Sequence, residues 1–214
     1  IAMYGRGMSV RDIRAQLEEI YGTKVSTELI TRATDEVLKE VRQWQQRPVD
    51  EVYPIVYVDA LRVPIRHQGS VKKRAVYLVL GINSEGYKDV LAMHIAEEEG
   101  ASFWLSALES LKERGLKDIV ILVSDGLKGM PEAVEAAFPQ TVFQTCIVHL
   151  IRQSTKLVSY KHRKEVCAQL KEIYTAPDEE EAMMRLDEFE QAYGKTYPHI
   201  AAMWQKRRAE WTPF

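Results

Sequence analysis

The sequence predicts an α/β fold: a five-stranded mixed sheet with flanking helices, plus an N-terminal helix-turn-helix segment and a C-terminal helical insertion. Three observations point there. Runs rich in β-branched and aromatic residues at 55–63, 72–82 and 87–96 follow one another through short connections, as an antiparallel meander requires. An amphipathic stretch, an apolar run at 119–124, a second amphipathic stretch and a last run at 141–145 then alternate as crossover units do. On either side, residues 1–47 and the chain from Cys146 onward space their apolar residues at helical period.

The N-terminal segment reads as two helices. Ser9 precedes the first, with Asp12 three residues on as its capping partner, and Val10, Ile13, Leu17 and Ile20 share a face. Gly22 suits a left-handed C-cap. The second helix starts at Ser26 or Thr27 and turns Leu29, Ile30, Ala33, Val37, Leu38 and Val41 inward. Two short helices about a glycine turn make a helix-turn-helix unit, whose second helix reads DNA with its first residues. Ser26, Thr27, Thr31 and Arg32 are then the candidate DNA contacts, and an ordinary helical hairpin is the competing reading. Trp44 to Pro48 closes the helix, because the residue before a proline resists helical geometry. The domain boundary falls at about 47–52.

The first strand carries one carboxylate, Asp59, inside an apolar run, where burial without a partner is costly. The fourth delivers Asp125 at its end, with Gly126 in the following turn. A divalent cation such as Mg²⁺ is the economical partner of such a pair. Between the strands, Asn83-Ser84-Glu85-Gly86 is a turn. A helix opens at Gly100-Ala101-Ser102 and is capped at Gly115, Pro131 begins the helix at 130–138, and further helices are expected at 146–158, 161–174, 179–193 and 198–210. With right-handed crossovers, β-β-β-α-β-α-β is the ribonuclease-H-like layout, with sheet order 3-2-1-4-5 and the first and fourth strands adjacent. The expected division is 1–47 helix-turn-helix-like, 53–158 catalytic core and 159–214 helical insertion.

Lys and Arg total 29 against 31 Asp and Glu, a net charge of −2, so the chain is not a basic binder as a whole. Charge is uneven, however: Arg152 to Lys171 is basic, and Asp178 to Glu190 is acidic. The first can approach a polyanion through Arg152 and Lys156. Arg62, Arg66, Lys72, Lys73 and Arg74 near the first hairpin are weaker candidates, since edge charges also discourage strand pairing. His67 and His94 read as structural or exposed. Two cysteines without framework spacing indicate a reducing, cytoplasmic compartment, and no apolar run reaches membrane-spanning length. The abrupt start at Ile1 and the end at Phe214 read as a stretch of a longer protein.

Tyr57-Val58-Asp59-Ala60, Val123 to Gly129 and Cys146-Ile147-Val148-His149-Leu150, with Trp44 to Pro48 upstream, resemble the DDE transposases of the Mutator-like bacterial insertion-sequence family. The resemblance spans essentially the whole chain. It implies metal-dependent strand cleavage and transfer at insertion-sequence ends, with Asp59 and Asp125 as two of three metal-binding carboxylates and Mg²⁺ or Mn²⁺ as a two-ion cofactor. It implies a third ligand, a Glu, expected beyond residue 214, without which these residues alone are catalytically incompetent. Glu188, Glu190 and Glu210 read as solvated helix faces. It also turns His149 toward the acids rather than into a zinc site with Cys146, for which ligands are too few. The implied partners are double-stranded DNA, as terminal repeats and target, and further copies of the chain in the active complex; the implied location is the bacterial cytoplasm. Two rival readings are a junction resolvase or ribonuclease, which would not be expected to carry the N-terminal helices, and a DNA-binding regulator derived from an inactive transposase.

Overall fold

The computed structural model describes residues 2–67, 70–96 and 100–212. The elements are α1 (Ala2–Gly5), α2 (Val10–Tyr21), α3 (Thr27–Gln46), β1 (Val52–His67), β2 (Ser70–Ile82), β3 (Lys88–Ala96), α4 (Ala101–Glu113), β4 (Asp118–Ser124), α5 (Met130–Ala137) and β5 (Val142–Thr145). Helices α6 (Ile147–Thr155), α7 (Tyr160–Tyr174), α8 (Glu179–Tyr193), α9 (Pro198–Lys206) and α10 (Arg208–Trp211) follow.

Local chemistry sets the N-terminal helices. The Ser9 side chain accepts from the Asp12 N–H and the Asp12 carboxylate accepts from the Ser9 N–H, a closed capping box. Gly22 ends α2 at φ 64°, where a side chain would be strained. The Ser26 hydroxyl caps α3 by accepting from Leu29 N–H. Arg47 ties the end of α3 to the sheet: its Nη2 donates to Asp89 Oδ1 at 2.6 Å and to the Val90 carbonyl. Arg114 donates to the carbonyls of Arg47 at 2.8 Å and Leu91 at 2.7 Å.

Among the described residues the strands form one mixed sheet in the order β3-β2-β1-β4-β5. The meander pairs antiparallel, while β1–β4 and β4–β5 pair parallel. Alternation along the strands sends Val56, Val58, Tyr77, Val79 and Leu91 to one face, where α4 and α5 supply Trp104, Leu108, Leu111 and Met130. Trp104 meets the Tyr77 ring edge-on at 4.8 Å. Tyr57, Leu61, Met93 and Ile95 occupy the opposite face and are exposed.

A second core lies among α6 to α10, built from Leu150, Val166, Leu170, Leu186, Phe189, Ile200 and Trp204. Trp204 Nε1 donates to the buried Ser154 hydroxyl at 2.9 Å, and Trp211 Nε1 to the Trp204 carbonyl at 2.7 Å. Among the described residues no helix is long and apolar enough to cross a membrane.

Several expectations change in detail. The first strand extends to Val52–His67 because β2 ladders along it to the Ser70–His67 pair, well past the reach of β4. Helix α4 is capped by Arg114, with Gly115 just beyond at φ 113°. Helix α6 ends at Thr155, in a turn closed by Val158 N–H to the Thr155 carbonyl. The last helix breaks at Arg207 (φ −101°, ψ 16°) into α9 and α10. The inward stripe of α3 is mostly outward: Ile30 is buried, but Leu29, Leu38 and Val41 are exposed, and on α2 Ile20 is exposed too. Periodicity marks an apolar face but does not say whether anything lies against it.

Candidate active site

The two carboxylates come from adjacent parallel strands. The ladder sets Val58 opposite Ser124, so the next residue on each strand is an aspartate. Asp59 lies on the open face of the sheet in line with Tyr57, and its Oδ1 accepts from the Ala60 N–H at 2.8 Å. Its side chain is 45% exposed and that of Asp125 is 29% exposed. The expectation of a buried carboxylate inside the first strand is therefore corrected, because alternation puts Asp59 on the uncovered face. Asp125 leaves β4 into a turn that needs left-handed backbone at Gly126 (φ 52°) and Gly129 (φ 77°). At Gly129 a Cβ would collide with the Ala101 backbone nitrogen.

Helix α6 closes the site from the other side. Cys146 precedes it, and the Cys146 N–H donates to the Ser124 carbonyl at 2.8 Å, docking the start of the helix on β4. One turn in, His149 places Nε2 3.9 Å from Asp59 Oδ1 and Nδ1 3.9 Å from Asp125 Oδ2. Its Nδ1 is buried and has no hydrogen-bond partner among the described residues. Gln153, four residues on, donates to Asp125 Oδ1 at 3.1 Å, and Arg152 Nη1 lies 3.5 Å from His149 Nε2. Burial raises the Asp125 pKa; the Asp59 charge adds to the rise, while His149, Arg207 and Arg152 oppose it.

Two recesses flank the acids. One of about 350 Å³ is lined by Tyr57, Asp59, Leu80, Lys88, Cys146 and His149. The other, about 660 Å³, runs from Gly126 and Phe143 to Met203, Lys206, Arg207 and Glu210.

The residues present suit a hard divalent cation. The donors are carboxylate oxygens, and a cation would offset both the burial and, less strongly, the Asp59 charge that raise Asp125. Among the described residues no three His, Cys, Asp or Glu side chains converge as a complete metal-binding group. Glu188 pairs with Arg185 and Glu190 accepts from Gln205, both away from the acids. Glu210, expected on a solvated face, is half-buried in the larger recess. Both cysteines are free thiols.

Of the other residues singled out from sequence, Arg152 is at the site and Lys156 is exposed at the C-cap of the same helix. Ser26, Thr27, Thr31 and Arg32 lie at the start of α3; Ser26 is occupied as the cap and Thr31 Oγ1 donates to the Thr27 carbonyl. Arg62, Lys72 and Lys73 are exposed, and Arg74 is half-buried. The side chains of Arg66 and His67 lie outside the described residues. His94 packs edge-on to Phe103 at 5.9 Å, and burial lowers its pKa. Sequence reasoning missed Gln153 and Arg207. Gln153 was findable one turn after His149 on the same face; Arg207 comes from the far end of the chain and carries no local signal.

Over residues 1–214 the chain matches the family model described as "Transposase, Mutator family". It is 50% identical over 215 residues to the transposase for insertion sequence element ISRM3 of Rhizobium meliloti (strain 1021), covering 100% of this chain and 54% of that protein. It is 45% identical over 215 residues to a probable insertion-sequence transposase of Corynebacterium diphtheriae, covering 100% of this chain and 63% of that protein. To the transposase for IS256 in transposon Tn4001 of Staphylococcus aureus it is 28% identical over 179 residues, 83% of this chain and 46% of that protein. The chain thus spans about half the length of the curated relatives it matches.

Proposed function

Because this chain belongs to the Mutator family of transposases, we propose that it carries the acid pair of a DDE-type centre for metal-dependent cleavage and transfer of insertion-sequence DNA. The observation that carries the reading is the single imidazole of His149, 3.9 Å from both Asp59 and Asp125, where the parallel ladder of β1 and β4 ends. Asp59 and Asp125 are the metal-holding residues, for Mg²⁺ or Mn²⁺. When bound, such ions activate the attacking hydroxyl and stabilise the leaving oxygen. His149 stands between the two carboxylates and offers a ring N–H to a phosphate oxygen, while Gln153 holds the outer oxygen of Asp125. A third carboxylate, a Glu outside residues 1–214, completes the set.

Residues 1–47 are the DNA-reading helix-turn-helix, through Thr27, Thr31 and Arg32 with Ser26 as cap; residues 53–158 are a ribonuclease-H-like core, and 159–214 belong to a helical insertion. Arg152 and Lys156 contact the phosphate backbone. The partners are double-stranded terminal-repeat and target DNA, and further copies of the chain in the active assembly.

The test is strand cleavage of terminal-repeat DNA by the full-length protein with Mg²⁺ or Mn²⁺. Asp59→Ala and Asp125→Ala should each abolish cleavage while leaving folding and DNA binding nearly intact. Wild-type-like cleavage by either variant rules out this site. Binding without nicking by the wild type would favour a DNA-binding regulator instead.

A further inference from the structure

We propose that Arg207 is a phosphate-binding residue, whose guanidinium takes an anionic oxygen of the DNA strand on the Asp125 side of the site. The inference rests on the reading of Asp59 and Asp125 as a DNA-processing centre and adds a residue to it.

Four observations place Arg207 there. It stands at the break between α9 and α10, which returns its side chain to the sheet. Its Nη1 donates to Thr145 Oγ1 at 3.3 Å, and Thr145 is the last residue of β5, paired with Ser124. Its guanidinium lies against Gly126 so closely that a Cβ there would meet Nη2 at 2.9 Å. Among the described residues it has no carboxylate within 4.0 Å.

A guanidinium has five N–H donors in a rigid fork. Here one makes a hydroxyl contact, and the residue lines the recess of about 660 Å³ beside Lys206. The fork suits the planar pair of oxygens that a phosphate presents, and Arg keeps its charge at any working pH. With Lys206 one residue earlier, the recess offers two cations in a row, with Glu132 and Glu210 on the same lining. The plainer role for Arg207 is to offset the Asp125 charge, and the two roles predict different responses to the DNA.

Binding of a labelled terminal-repeat duplex to the full-length protein is measured by fluorescence anisotropy in EDTA. A matched duplex carries a neutral methylphosphonate at the cleavage-site phosphate. Wild type should lose affinity about tenfold when that charge is removed, the scale of one charge-assisted contact. Arg207→Gln should bind the native duplex about tenfold more weakly and be indifferent to the methylphosphonate; Arg207→Lys should keep part of both. Thermal melting checks that each variant folds, and Arg207→Lys carries the test if Arg207→Gln does not. An arginine variant that keeps the full methylphosphonate effect overturns the inference alone. A wild type that does not prefer terminal-repeat over scrambled duplex overturns the transposase reading and this inference with it.

Discussion

Val58 and Ser124 are register partners on the parallel strands β1 and β4, and the Ser124 hydroxyl is fully buried with no hydrogen-bond partner among the described residues. The backbone ladder between them, rather than any side-chain contact, spaces Asp59 from Asp125. An unpaired buried hydroxyl costs stability. Ser124→Ala should therefore leave the fold as stable or more so, by up to about 1 kcal/mol in urea unfolding. A loss larger than that would show that the hydroxyl has a partner in the folded protein.

The raised pKa of Asp125 has a pH signature. Burial and the Asp59 charge make the folded chain hold that proton more tightly than the unfolded chain does. The ionised group thus costs stability above its folded pKa, and the cost fades as pH falls through it and is gone below the ordinary carboxyl range. Asp125→Asn, compared with wild type in EDTA, should melt higher near neutral pH, with the gap closing on acidification. A gap that is constant or widens in acid contradicts the assignment.

Gly129→Ala should be severe. Its φ of 77° disfavours a side chain, and the added Cβ would collide with the backbone of Ala101. The turn that carries Asp125 would have to part from the start of α4, at a cost of about 2–4 kcal/mol. Thermal melting measures it, and a variant as stable as wild type would mean the turn repacks.

Arg114 joins three parts of the chain, donating to the carbonyls of Arg47 and Leu91 while Arg47 holds Asp89. Arg114→Leu leaves both carbonyls without that donor and should cost about 2 kcal/mol. It should also speed proteolysis at residues 47–52, where α3 meets the sheet. Unchanged cleavage kinetics there would show that the clamp lies elsewhere.

The sheet was legible because its signal is local: alternation marks each strand, and right-handed crossovers leave few orders for the sequence of elements. Asp59 and Asp125 stood out as single carboxylates against apolar runs. Which face of β1 is covered was not legible, since a period of two is blind to it, and so Asp59 was read as buried. The α3 stripe failed for the same reason: Leu29, Leu38 and Val41 repeat at helical spacing with no covering surface in the described structure. Arg207 was invisible because nothing near it in sequence announces neighbours at the end of β5 and in the turn after β4. Only the break after α9 brings it to Gly126.

Helix α6 belongs to two structures at once. One side holds His149 and Gln153 against the aspartates, and the other sends Leu150 and Ser154 into the second core, where Ser154 accepts from Trp204. The two halves therefore cannot drift apart in evolution as freely as separate modules. A substitution deep among α7 to α9 that only reseats Trp204 shifts the rod on which the imidazole is mounted, and a genetic screen would score it as a lesion of the chemistry.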